Sequence, residues 1–304
     1  MTDRLTGDRY VNPYTDFGFK MLFGTEMNKE LLISFVNSLF DGKEVITDLT
    51  YLNTEQLGTA ETDRKAVFDV YCENEKGEKI LIEMQRGEQQ FFKDRSVYYS
   101  TFPIREQGRK GEWNYELKAV YVIGILNFTF YDEDSEYFHH EVKLVDINTK
   151  EVFYDKLTFM YLEMPKFNKT ENELKDMFDK WMFVLRNLSR LVGRPAALQE
   201  RVFTKLFEAA EIAKFSKQQY DEYEESLKAY RDWQNTIETA KMKSREEGRA
   251  EGIEVGRAEG IELGRAEGRK LERIEMARKF KASGIPADII ARNTGLSEKE
   301  ISDL

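Results

Sequence analysis

The stretch from Phe68 to Gln85, FDVYCENEKGEKILIEMQ, constrains this chain more than any other. Two runs of β-branched, aromatic and aliphatic residues flank a charged turn containing Gly77, which predicts a β-hairpin with its loop over residues 73–78. If the strands fold symmetrically about Lys76, partner positions sum to 152 and Asp69 falls directly opposite Glu83. Side chains alternate along a strand, so Val67, Asp69, Tyr71, Glu83 and Gln85 share one face, while Phe68, Val70, Ile82 and Met84 take the other. Carboxylates so opposed have Cβ atoms about 5 Å apart and repel unless something compensates them. A divalent cation does so naturally, and two carboxylates with retained waters and a substrate phosphate match how magnesium is held.

Softer metal chemistry is poorly supplied. Cys72 stands alone, which excludes an internal disulfide or a thiolate cluster, and His139 and His140 are the only imidazoles. The 304 residues are 41% hydrophobic and 13% aromatic, enough for one large core or two smaller ones and unlike a disordered chain. No apolar leader or membrane-length span is present, which predicts a cytoplasmic protein that does not enter membranes. The formal charge of −10 argues against broad adhesion to nucleic acid. That acidity belongs to residues 1–240, because residues 241–304 hold 14 Lys/Arg against 13 Asp/Glu. A local basic excess stands out across residues 86–110, where Arg86, Lys93, Arg95, Arg105, Arg109 and Lys110 face three acids.

Around the hairpin, the periodicities alternate in the manner of an α/β protein. TDFGFKMLFG opens a first helix carrying Asp16 and Lys20 at i,i+4, and Leu31, Leu32, Phe35, Val36 and Leu39 mark an amphipathic helix ending at Asp41-Gly42. EVITDLTYLN, KAVFDVYC and EKILIEMQ read as strands, followed by a helix over residues 88–108 that Pro103 should end or kink near Phe102. YELKAVYVIGILNFTFY, HEVKLVDI and LTFMYLEM read as further strands, and residues 172–242 as helices broken at Gly193-Arg194-Pro195. GRAEGIEV, GRAEGIEL and GRAEGRKL then repeat every eight residues, placing six glycines four apart. The i,i+3 Glu/Arg pairs support a helix and the interior glycines oppose it, while the glycine spacing suggests close approach to a partner helix, so the segment reads as a helical connector that self-associates or as a flexible spacer. The tail closes with a capping box, Ser297 with Glu300, in a spacing resembling a helix-turn-helix, although terminal packing or dimerisation explains it as well. These boundaries predict a core over residues 1–165, a helical region over 166–240, a connector over 241–270 and a tail over 271–304.

An Asp at the end of one strand followed by Glu-x-Gln on the next resembles the PD-(D/E)XK nuclease superfamily, with Gln in place of the usual Lys. TDFGFKMLFG, the hairpin and FFKDRSVYYSTFPIREQG together resemble its recombination-promoting nuclease and transposase-like family over about residues 10–165. The resemblance implies a mixed sheet flanked by helices, a restriction-endonuclease-like core with an all-helical C-terminal extension. It implies magnesium-dependent cleavage of DNA, with manganese as the alternative ion, Asp69 and Glu83 as metal ligands, and Gln85 in the lysine position. An amide only orients by hydrogen bonding, so the missing charge must come from elsewhere; Lys65, Arg86 and Arg95 are nearest in sequence. The resemblance favours Arg95 with Tyr99, and Gln107 further along, while Asp16 and Lys20 are a further carboxylate and ammonium.

Plainer readings compete. Asp69 could be a charge guarding a strand edge, Arg95 and Tyr99 an ion-paired arginine and a core-edge ring, and the aromatics of residues 91–102 ordinary core. The glutamine and the acidic body suit a non-catalytic DNA-associated scaffold assembling through residues 241–304. A small phosphate-ester hydrolase is a third reading, and no glycine-rich phosphate loop follows any strand.

Overall fold

The computed structural model describes residues 8–56, 66–108, 114–130 and 136–304. Contacts divide the chain into two units, residues 1–231 and 232–304.

In the first unit, α1 (Asp16–Phe23) begins on Thr15, whose Oγ1 accepts the amide of Gly18 at 3.0 Å. A Cβ at Gly18 would meet the carbonyl oxygen of Asn12 at 2.2 Å, so the TDFGF motif needs glycine there for the chain to close on the helix start. Next come α2 (Lys29–Phe40), β1 (Leu49–Tyr51), the two-residue strands β2 (Glu55–Gln56) and β3 (Ala66–Val67), then β4 (Val70–Asn74) and β5 (Lys79–Gln85). The helix α3 (Phe92–Glu106) leads to β6 (Val120–Leu126), β7 (His139–Val145) and β8 (Val152–Glu163). After them come α4 (Met177–Asn187), α5 (Arg201–Ala210) and the start of α6 (Lys217–Ala282).

Six strands form one mixed sheet in the order β1-β4-β5-β6-β8-β7, with β5, β6 and β8 parallel and the other neighbours antiparallel. The hairpin folds in the expected register: Val70 pairs with Ile82 and Glu73 with Lys79, symmetric about Lys76. Its turn is built by Asn74, whose side-chain oxygen accepts the amides of Lys76 and Glu78, and by Gly77 at φ +80°.

One sheet face carries Val70, Cys72, Ile80, Ile82, Ile123 and Ile125 into a core shared with α1, α2, α4, α5 and the first turns of α6, with Trp181 and Phe203 fully enclosed. The opposite face carries Tyr71, Leu81, Val122, Phe159 and Tyr161 against Phe92 and Phe102 of α3. Both faces are therefore covered, as central parallel strands require. Each fully buried side chain of this size contributes roughly 1.5–3 kcal/mol relative to exposure.

Three local expectations change. Phe68 packs with Tyr71 and Leu81, not with Val70, because the chain leaves the ladder at Phe68–Asp69 and the strict alternation stops there. Helix α3 does not end at Phe102 but runs through Pro103 to Glu106, where burial of Phe102 and Pro103 outweighs the proline's poor helix propensity. Within EVITDLTYLN, only Leu49–Tyr51 is strand.

In the second unit, the repeat is continuously helical within α6, and a Cβ at any of its six glycines would meet nothing within 4 Å. The small helices α7 (Ala287–Thr294) and α8 (Glu298–Ser302) gather around Ala277, Ile290, Leu296 and Ile301. The capping box forms as the sequence predicts, and Gly295 ends α7 in the left-handed region. Among the described residues no helix is long and apolar enough to cross a membrane.

Candidate active site

The end of the β4–β5 hairpin and the first turns of α3 converge on Glu83. Its side chain is only 16% exposed, and Oε1 is buried with no hydrogen-bond partner. Beside it, Asp69 lies just past Val70, the last paired residue of the hairpin, and its Oδ2 accepts the Met84 amide at 2.7 Å. Burial and the Asp69 charge push the Glu83 carboxyl up to about 8, against the opposing pull of Arg95 and the Asp69 amide. Burial also raises Asp69, with the amide of Met84 opposing it. Two carboxyls forced together in a poorly solvated place do not both ionise readily without a cation.

Arg95, one turn into α3, supplies the only nearby full charge pairing seen with Glu83 among the described residues, and at 3.8 Å the pairing is loose. The same guanidinium donates to Gln85 Oε1 through Nη2 and to Gln89 Oε1 at 2.5 Å through Nη1. Gln85 is buried, and its amide nitrogen donates to the Gly87 carbonyl at 3.0 Å, so both ends of this side chain are fixed. The guanidinium carbon lies 5.6 Å from the Tyr99 ring centroid and 5.7 Å from that of Phe92, a cation–π sandwich that limits where Arg95 can go. Tyr99 in turn packs edge-on against Phe68 at 5.2 Å.

Asp16 and Lys20 form an ion pair at 3.1 Å on α1 and, with Asp69 and Arg86, line a cleft of about 850 Å³ closed by Glu222 and Ser226 of α6. All three charged neighbours act on Asp69: Asp16 raises its carboxyl, Lys20 and Arg86 lower it. Gln107 is placed elsewhere. At the far end of α3 its side chain clasps the backbone of Lys118, accepting the amide at 2.7 Å. Lys65, Arg109 and Lys110 lie outside the described residues.

Sequence reasoning missed Gly124. It pairs with Glu83 in the β5–β6 ladder, and a Cβ there would meet Tyr161 Cδ1 at 2.9 Å and Phe92 Cζ at 3.3 Å. Its absence lets both rings close over the sheet beside Glu83 and exclude water from the carboxyl. The signal was present: a lone glycine inside VYVIGIL marks a close approach. Glu163 was missed too. Fully buried on β8 and two strands from Gln85 in register, it accepts the Phe130 amide at 3.1 Å and pairs with Lys166 at 2.7 Å. Nothing in LEM alone foretells that arrangement.

Among the described residues no group of three or more His, Cys, Asp or Glu side chains is arranged to hold a metal ion. The Asp69–Glu83 pair nonetheless fits a hard divalent cation: it offers only oxygen donors, one of them buried and unpartnered, with the remaining ligands left to water and substrate. A mixed sheet with paired carboxylates on its central hairpin, flanked by helices, is the α/β architecture of restriction-endonuclease-like nucleases. The chain belongs to the PD-(D/E)XK nuclease family transposases, whose family model matches residues 13–240. A search of curated proteins gives no match, nor does a search of solved structures.

Proposed function

We infer from membership in this family a nuclease-like or mobile-element role. We propose that the protein is a divalent-metal-dependent endonuclease that hydrolyses DNA phosphodiester bonds during recombination or movement of a mobile element. The observation that carries this reading is the buried, unpartnered Glu83 oxygen beside Asp69, an arrangement that costs stability and that a cation would relieve. Asp69 and Glu83 would hold magnesium, or manganese in its place. When bound, such an ion polarises the phosphodiester and makes water a competent nucleophile near neutral pH.

The chain's own groups divide the remaining work. Gln85, pinned by Gly87 and Arg95, orients water or a phosphoryl oxygen by hydrogen bonding. Arg95 brings the positive charge that the superfamily lysine would otherwise bring, and its stacking on Tyr99 keeps the guanidinium beside Glu83. Lys20 and Arg86 in the adjoining cleft offset the acidic surroundings for an approaching phosphate.

The test is supercoiled plasmid incubated with magnesium or with EDTA, beside Asp69→Ala and Glu83→Ala. Nicking or linearisation that needs magnesium and both carboxylates is expected. Cleavage that persists in both variants, or that ignores chelation, removes this site from the reaction.

A further inference from the structure

The sheet ends at β7, which pairs with β8 on one side and, among the described residues, with no strand on the other. Such an edge leaves a row of backbone amides and carbonyls able to pair with another chain, and proteins usually blunt it with proline, a bulge or unopposed charge. None of these protects β7. It runs from His139 to Val145 without proline, and the extra residues at its register shifts belong to β8: from the Val142–Phe159 pair to the Leu144–Tyr154 pair β7 advances two residues and β8 five. Its one acid, Glu141, and its one lysine, Lys143, pair with each other at 2.7 Å, and Glu141 also meets Lys43 at 3.1 Å. The strand itself is formally neutral and offers no basic excess to a phosphate backbone. Apolar side chains nonetheless stand in water along it: Val142 is 39% exposed, Leu144 48% and Val145 44%.

We propose that β7 is a homodimer contact: a second copy lays its own β7 antiparallel on this edge, and the two six-stranded sheets become one. The proposal does not depend on the nuclease reading. A two-fold axis normal to the sheet makes opposed residues share a face, so partner positions must sum to an even number. With a sum of 284, Val142 meets the second copy's Val142 on the axis, Leu144 meets His140, Val145 meets His139, and Glu141 meets Lys143 on both sides of the axis. This register uses all seven residues of β7. It is also the one that opposes unlike charges, because a sum of 282 sets Glu141 against itself and a sum of 286 sets Lys143 against itself. Strand length and charge pattern thus select the same register, and that self-complementarity favours a second copy over an unrelated peptide.

The test is cysteine cross-linking of the full chain without DNA or metal, in which the native Cys72 is buried. Val142→Cys sets two thiols on the axis with Cα atoms about 5 Å apart, within disulfide reach, whereas Leu144→Cys, similarly exposed, would hold them roughly 13 Å apart. Under oxidised glutathione, Val142→Cys should form covalent dimer at least about tenfold faster than Leu144→Cys. Glu141→Lys added to Val142→Cys should slow cross-linking about tenfold by opposing like charges, and adding Lys143→Glu as well should restore it, with circular dichroism unchanged throughout. Equal rates for the two cysteines, or a charge swap that restores nothing, overturns the contact. Association through α6 alone would not favour residue 142 over residue 144, so that outcome also counts against it. Cleavage is read separately in the plasmid assay, and the nuclease reading stands or falls there.

Discussion

Glu83→Gln in metal-free protein isolates the strain at the proposed metal site. Glutamine keeps the shape of glutamate and its carbonyl still accepts a hydrogen bond, but it carries no charge to desolvate. The wild-type carboxyl titrates near 8 when folded and has an ordinary value of 4.5. Because its folded value is raised, the stability linked to this group is fully present below about pH 4.5 and is lost as pH rises through 8. At 1.36 kcal/mol per pH unit, that loss amounts to about 3 kcal/mol at pH 7 and approaches about 5 kcal/mol at pH 9. Urea unfolding in EDTA at pH 5, 7 and 9 should therefore show the glutamine protein more stable by a margin that widens with pH, from under about 1 kcal/mol at pH 5 to about 3 kcal/mol or more above neutrality. A margin that is flat with pH, or a glutamine protein less stable than wild type at pH 9, refutes the argument that burial and Asp69 strain this carboxyl.

Other perturbations separate parts of the account. Arg95→Ala should lower plasmid cleavage by about 10²-fold while leaving the melting temperature within a few degrees, and Arg95→Lys should recover only part of it because a lysine cannot span Gln85, Gln89 and Glu83 together. Gly124→Ala should destabilise the fold by about 1–3 kcal/mol in thermal melts, since its Cβ displaces Tyr161 or Phe92. Glu163→Ala should cost about 3–5 kcal/mol by leaving the Lys166 ammonium buried and uncompensated, and a loss below about 1 kcal/mol in urea would show that the pair is not structural. Alanine at both Gly252 and Gly260 should stabilise the second unit's helix by about 1 kcal/mol per site, seen as a higher melting temperature, because the new methyl groups meet nothing.

The hairpin was legible because two short-range rules agree on it: a turn that Asn74 and Gly77 alone can close, and strands whose lengths leave one symmetric register. That register points Asp69 toward Glu83, although the paired ladder itself ends at Val70. The behaviour of Phe68 was not legible, since it packs edge-on against Tyr99 of α3 beside the Asp69–Met84 hydrogen bond, both contacts that no local pattern encodes. The bond from Arg95 to Gln85 depends on how α3 docks, which Phe92 and Gly124 decide from opposite sides of the contact. Pro103 misled because the packing of its own turn, with Phe102 and Pro103 both buried, overrides local propensity. The Glu163 cluster draws its partners from β8, the turn after it and the segment after β6, so no local pattern announces it.

The central claim is that Asp69 and Glu83 together hold a divalent cation. Manganese binding followed by the loss of its free-ion electron paramagnetic resonance signal tests this without requiring turnover. Wild type should take up manganese in competition with magnesium, and Asp69→Asn and Glu83→Gln should each abolish that uptake while folding normally. Unchanged manganese uptake in both variants would contradict the account.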